Sequence, residues 1–151
     1  MEHVDTIRLR NNVQIVVADA RTLRVLDVLH AKNLVVTTGL GQIIDLAQGN
    51  NTTSFGYGAV GTSATAAAAA QTTLLGEVFR NLLTASTRSG AVWTITFILG
   101  STQGNGSTIQ EYAEFNASAS GVMLARVVHA SIAKTSAITI SYTHTITLTA
   151  S

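Results

Sequence analysis

The residues able to do chemistry are few and scattered. His129 and His144 lie on two strand-like segments, 123–132 and 138–148, joined by 133–136. If these form a hairpin, both imidazoles can share the face that carries Val127, Tyr142 and Ile146, but their offset along the ladder keeps them apart. With no cysteine in the chain and no metal-ligand spacing, they read as core or subunit-contact histidines rather than zinc ligands. Glu77 with Arg80, and Glu111 with Arg126, have the residue types of an acid/base or transition-state pair. No nucleophile accompanies them, so they read as ion pairs at the edge of a sheet or between subunits. Glu111 and Glu114 have opposite parity on a strand, the wrong arrangement for two carboxylates flanking one glycosidic bond.

The remaining candidates thin out in the same way. Asp19, Asp27 and Asp45 are dispersed and make no calcium-loop spacing. The glycine pairs at 39/41, 56/58 and 104/106 lack the lysine or acid that a phosphate-binding loop needs, and read as turn and packing glycines. Trp93, Tyr57 and Tyr112 have the rings to stack on a sugar, yet Trp93 falls in an alternating apolar row and reads as core. Three sequons begin at Asn51, Asn105 and Asn116; with no secretory signal beginning the chain they read as bare loops. The sequence assigns no catalytic, cofactor-binding or metal-ligating residue and no cofactor, and the expectation is a protein that is not an enzyme.

Composition points the same way. The 151 residues suit one domain, and only 11% are charged while 46% are hydrophobic. A surface this poor in charge must be solvated by Thr and Ser, and it favours homo-oligomeric association. A net charge of +1, with basic residues spread along the chain, argues against nucleic-acid binding. No apolar stretch approaches the ~20 residues of a membrane-spanning helix. There is no proline, so glycine and asparagine must shape the turns.

Alternation dominates the elements that would position these residues. Residues 138–148 place Ile140, Tyr142, His144 and Ile146 on one face and hydroxyl residues on the other; residues 91–99 also alternate, placing Trp93, Ile95, Phe97 and Leu99 on one face. Residues 13–17 and 23–29 read as a hairpin about 18–22, where Asp19 can close the turn with its own side chain. Residues 32–36 read as an extension of that sheet. Leu40, Ile43, Ile44 and Ala47 then fall at helical spacing, predicting a short helix at about 39–48 with Thr38 or Gly39 as its N-cap and Gly49 as its stop. Residues 100–107, with the Asn105–Gly106 pair, read as a turn returning the chain into a strand at 108–115. The alanine run at 64–70 is open between a helix and a thin extended arm that contacts another subunit, and 71–83 is equally open. The fold class that results is mainly β: an antiparallel β-sandwich, with the jelly roll as one form of it, and one short α-helix. Residues 1–12 read as an N-terminal arm or edge strand and 13–151 as the single sandwich domain.

Three segments carry a resemblance. They are Asn33-Leu-Val-Val-Thr-Thr-Gly39 before the short helix; Tyr57-Gly-Ala-Val60-Gly61-Thr62 with Leu74, Glu77 and Arg80 downstream; and Ile109-Gln-Glu111-Tyr-Ala-Glu-Phe115 running on through Gly121-Val-Met123-Leu-Ala125-Arg126 to the strand at 138–148. Together they resemble small β-rich virion structural proteins of tailed bacteriophages. The chain departs from that pattern in two places. The proline-bearing loop of such proteins is replaced by 64–70, and the glycine-leucine pair before the phenylalanine is Ala113-Glu114. The resemblance implies a capsid decoration or tail protein that forms homo-oligomers, contacts other virion proteins and resides in the virion after assembly in the host cytoplasm. The alternative is a carbohydrate-binding or host-adhesion module on the virion surface.

Overall fold

The computed structural model describes residues 5–150. Ten strands and one helix run in the order β1 (Ile7–Asp19), β2 (Val25–Ala31), β3 (Asn33–Val35), α1 (Thr37–Gln48), β4 (Tyr57–Gly61), β5 (Glu77–Leu82), β6 (Ala85–Ser89), β7 (Val92–Leu99), β8 (Thr108–Phe115), β9 (Met123–Ala133) and β10 (Ile138–Ala150). They make two five-stranded antiparallel sheets, ordered β2-β1-β10-β7-β6 and β3-β9-β8-β4-β5, so the mainly-β, two-sheet expectation holds. Four hairpins, β1–β2, β4–β5, β6–β7 and β8–β9, are stitched together by connections that pass between the sheets.

That stitching overturns several local expectations. The glycine-rich 100–107 segment does not return β7 to a neighbouring strand; it carries the chain from the first sheet to the second. The 133–136 connection likewise arches from β9 to β10 across the sandwich, so His129 and His144 are not on one hairpin. β3 pairs with β9 in the second sheet rather than extending β1–β2. A turn and an arch need the same kinds of residue at their bends, and only the partner of the next strand tells them apart. Residues 64–70 are neither helix nor free arm, and lie in an irregular loop against their own second sheet. Residues 7–12, placed by the sequence reading in an arm or edge strand, are the first half of β1 and pair with β10, while β2 covers β1 only from Val13 onward.

Alternation builds the core as expected. β10 lies between β1 and β7, and its register sets inward rows across all three strands: Val13, His144 and Ile95; Ile15, Tyr142 and Phe97; Val17, Ile140 and Leu99. Every one of these side chains is buried. Tyr112, from β8 on the opposing sheet, stacks on Tyr142 with ring centroids 4.3 Å apart and lies 5.9 Å from Phe97. Aromatic pairs of this kind add roughly 0.5–1.5 kcal/mol beyond their burial.

The helix closes one end of the sandwich. It starts directly off β3, so its N-cap is Val36, which has no side-chain cap, rather than Thr38 or Gly39. Val36 is held in place because its N–H bonds the carbonyl of Leu124 on β9. Gly39 then presses against that same carbonyl, in a space no Cβ could share. This contact turns the helix: Gly39 and Gln42 are buried, with Ile43 and Leu46 packed against the core. Leu40 and Ile44, expected on the buried face, stay 45% and 57% exposed. Gly49 ends the helix in the left-handed conformation, φ 72°, as expected.

Candidate functional site

The outer face of the second sheet gathers most of the charged residues singled out above. Glu111 and Arg126, side by side on β8 and β9, are both fully buried. Nε and Nη2 of Arg126 each lie 2.8 Å from Oε2 of Glu111. The expectation of an edge or intersubunit ion pair is therefore corrected: the pair is internal, beneath the loop 62–76. Oε1 of Glu111 accepts the backbone N–H of Gly76 at 2.7 Å and of Ser63 at 3.3 Å, and Oε2 accepts that of Leu75 at 3.2 Å. Arg126 donates through Nη1 to the carbonyl of Thr65 and to Oε1 of Gln71. One ion pair thus satisfies both ends of an irregular loop whose backbone has no strand partner. Leu74 follows it down, packing with Val36, Ala59, Ala113, Phe115 and Met123. Gly61 belongs to the same device, since a Cβ there would meet Glu111 Oε1 and the Gly76 carbonyl.

Arg80 repeats the principle nearby. Its guanidinium lies 3.6 Å over the ring of Phe115, pairs with Glu77 at 2.7 Å, and donates to the carbonyls of Ala117 and Ser120. The 116–121 loop is tied down this way, with Asn116 accepting the Val122 N–H at 2.7 Å. Both pairs hold loops.

Inside the sandwich, Glu114, His144 and Asn33 form a buried chain. Asn33 Nδ2 lies 2.8 Å from Nε2 of His144, and Nδ1 of that ring lies 2.9 Å from Oε1 of Glu114. The Tyr112 hydroxyl faces this carboxylate without a well-formed hydrogen bond, and burial, reinforced by the Glu114 charge, pushes its pKa far up. Asn33 Oδ1 and Asn11 Oδ1 are also buried without partners. His129 belongs to a separate contact: Nδ1–H donates to the Ala130 carbonyl, and Nε2 accepts from the Tyr142 hydroxyl at 3.2 Å. Burial lowers the imidazole pKa and raises that of the Tyr142 phenol, keeping both neutral. Sequence parity placed both histidines inward; their polar partners come from the opposite sheet or from across the arch, which parity cannot supply.

Lys134 escaped the sequence reading. It is 1% exposed, and its ammonium donates to Asn105 Oδ1 at 2.8 Å and to the Thr135 carbonyl at 2.9 Å. Desolvation lowers its pKa. This bond locks the 100–107 arch to the 133–136 arch, and the Asn105 sequon is spent on it. Nothing in a lone lysine at a loop start signals such a role. Among the described residues, no three His, Asp or Glu side chains gather as a metal site, and no helix is long and apolar enough to cross a membrane.

Two surface features remain. The first is a groove of about 440 Å³ between the helix end and β6, walled by Leu46, Phe55, Leu83 and Trp93, with the hydroxyls of Ser54 and Thr84 along it. Trp93 was expected in the core; it packs there with one side and lines the groove with the other. Its indole N–H donates to Ser86 Oγ at 2.9 Å, and Phe55 sits against it with centroids 6.2 Å apart. The second is β2, an edge strand on which Val25, Leu26 and Val28 are 55%, 45% and 43% exposed, next to the exposed turn residue Leu23. No known protein family, curated protein or solved structure matches this chain.

Proposed function

We propose that this chain is a non-enzymatic structural protein of a tailed-phage virion, a self-assembling subunit that serves as a capsid decoration or a tail component. The observation that carries the reading is β2. Edge strands in soluble proteins are usually blunted by lysine, proline, bulges or brevity. β2 is seven residues long and has neither lysine nor proline; the one such device it carries is a slip in its pairing with β1, where Asp27 faces Val17 and Val25 faces Ala18, so that Leu26 is the extra residue. Its single acidic residue, Asp27, spends a carboxylate oxygen on the Val28 N–H at 2.8 Å. Such an edge suits subunit contact, by strand addition or by apolar docking. The charged groups with the residue types of a catalytic pair have structural work that accounts for them, since Glu111, Arg126, Glu77 and Arg80 all anchor loops. The motif resemblance described from the sequence supplies the virion context.

The test is to search particles of a phage encoding this chain by mass spectrometry. Recovery at many copies per particle supports the reading, and absence from intact particles while the protein is abundant in the lysate contradicts it. A second reading, a carbohydrate-binding or host-adhesion module on the virion surface, is favoured by one observation, the groove beside Trp93.

A further inference from the structure

We infer that the groove between α1 and β6 is a binding site for one neutral pyranose ring of a glycan, with Trp93 as its stacking platform. The inference deepens the second reading above and stands apart from the assembly proposal, because it uses none of the β2 surface.

Size, charge and chemistry each narrow the ligand. A volume of about 440 Å³ lies within the roughly 300–1,000 Å³ of small-molecule sites. Among the described residues no Asp, Glu, Lys, Arg or His lines the groove, so nothing among them would repay the desolvation of an ionic ligand. What lines it is an aromatic and aliphatic wall with hydroxyls along it. A pyranose has the matching shape, with a flat C–H face that packs on an aromatic ring and a rim of hydroxyls that exchange hydrogen bonds with Ser and Thr. Ser54 and Thr84 are among the lining residues, and Thr84 Oγ1 accepts the Ile98 N–H at 3.0 Å, which leaves its own proton free to donate.

The platform is fixed in advance. The Ser86 bond satisfies the indole N–H, and Phe55, only 3% exposed, backs the ring, so stacking a sugar would cost little side-chain ordering. The groove also opens beside β6, a strand of small and hydroxyl residues apart from Arg88, whose guanidinium is turned to the Gly90 carbonyl.

Trp93 is the only tryptophan in the chain, so all tryptophan emission comes from a residue that lines this groove. The full-length protein should be titrated with glucose, galactose, mannose, N-acetylglucosamine and short neutral oligomers of each, following emission and, in parallel, calorimetric heat. The expected result is a saturable change with at least one sugar, weakened fivefold or more by Ser54→Ala and abolished in calorimetry by Trp93→Ala. Because Trp93→Ala also removes core packing, Ser54→Ala, at a loop residue, keeps the test decisive. No response to any sugar, binding unchanged in both variants, or a response only to extended apolar peptides would overturn the inference. A failure here with multimers still forming removes the sugar site and leaves the assembly proposal standing.

Discussion

The two outer faces of the sandwich solve the same problem in opposite ways. On the first sheet the outward residues of β10 include Thr139, Ser141, Thr143, Thr145 and Thr147, matched across the ladder by Thr94 and Thr96 of β7, and all of them are partly exposed. β-branched hydroxyl side chains suit a pleated surface and hydrogen-bond water directly, so this face needs no cover. On the second sheet the outward residues include Ala59, Ala113, Phe115 and Met123, buried beneath 62–76. An irregular loop over an apolar face has backbone donors with nowhere to go, and here Glu111 and Arg126 answer them. The two ion pairs of this sheet, Glu111 with Arg126 and Glu77 with Arg80, serve where regular structure runs out.

The largest expected effect breaks the covered face. Glu111→Ala would leave the Arg126 guanidinium buried and unpaired and strip the acceptor from Ser63, Leu75 and Gly76; stability in urea should fall by about 3–5 kcal/mol, or the protein should fail to fold. A Glu111→Met, Arg126→Leu double variant should recover part of that loss, since it leaves no orphaned charge. Next comes Gly39→Ala, which forces a methyl into the Leu124 carbonyl and should cost about 1–3 kcal/mol by prising α1 from β9. Leu23 sits at φ 59° in an exposed turn, a conformation that costs a side-chain-bearing residue roughly 1–2 kcal/mol. Leu23→Gly relieves that strain at the price of a looser unfolded chain, so the thermal midpoint should rise by a few degrees at most.

Asp19 offers a smaller, pH-dependent effect on the uncovered sheet. Its Oδ1 accepts the N–H groups of Thr22 and Arg21 and the Thr22 hydroxyl, and these bonds, led by the Thr22 N–H, hold its pKa below 3.8. A depressed folded value means the stabilisation is complete above 3.8 and is lost as pH falls through the lower folded value. Asp19→Asn should flatten that part of the stability–pH curve and leave neutral-pH folding nearly unchanged. The smallest effect belongs to the hydroxyl carpet itself, where Thr143→Lys or Thr145→Glu should shift stability by no more than about 0.5 kcal/mol in denaturant titrations. A loss comparable to that of Glu111→Ala would end the contrast between the faces.

How much of this was legible follows from the range of each interaction. Period-2 alternation is local, so the strands at 91–99 and 138–148 and the inward set Ile95, Phe97, Ile140, Tyr142 and Ile146 could be read directly. The Asp19 turn and the Gly49 stop were also local. Which strand pairs with which is not, so the arch at 100–107 passed for a hairpin turn and the sequence left open whether 133–136 was one. The helix face was misjudged because a single close approach, Gly39 on Leu124, outweighed four apolar residues at helical spacing. Glu111 and Arg126 were visible as a pair, but their burial depends on a loop supplied from some 50 residues earlier. Trp93 was half legible: its row was right, and the groove that opens beside it is made by α1 and β6, which no strand pattern reports.

The central functional claim is that an apolar edge strand free of lysine and proline makes this sandwich a building block, and sedimentation velocity across a wide concentration range tests it most directly. Wild-type protein should form multimers as concentration rises, while a Leu26→Lys, Val28→Lys variant, altered only at exposed positions and folded by circular dichroism, should remain monomeric. A wild-type monomer at every concentration, or a variant that assembles like the wild type, would contradict the account.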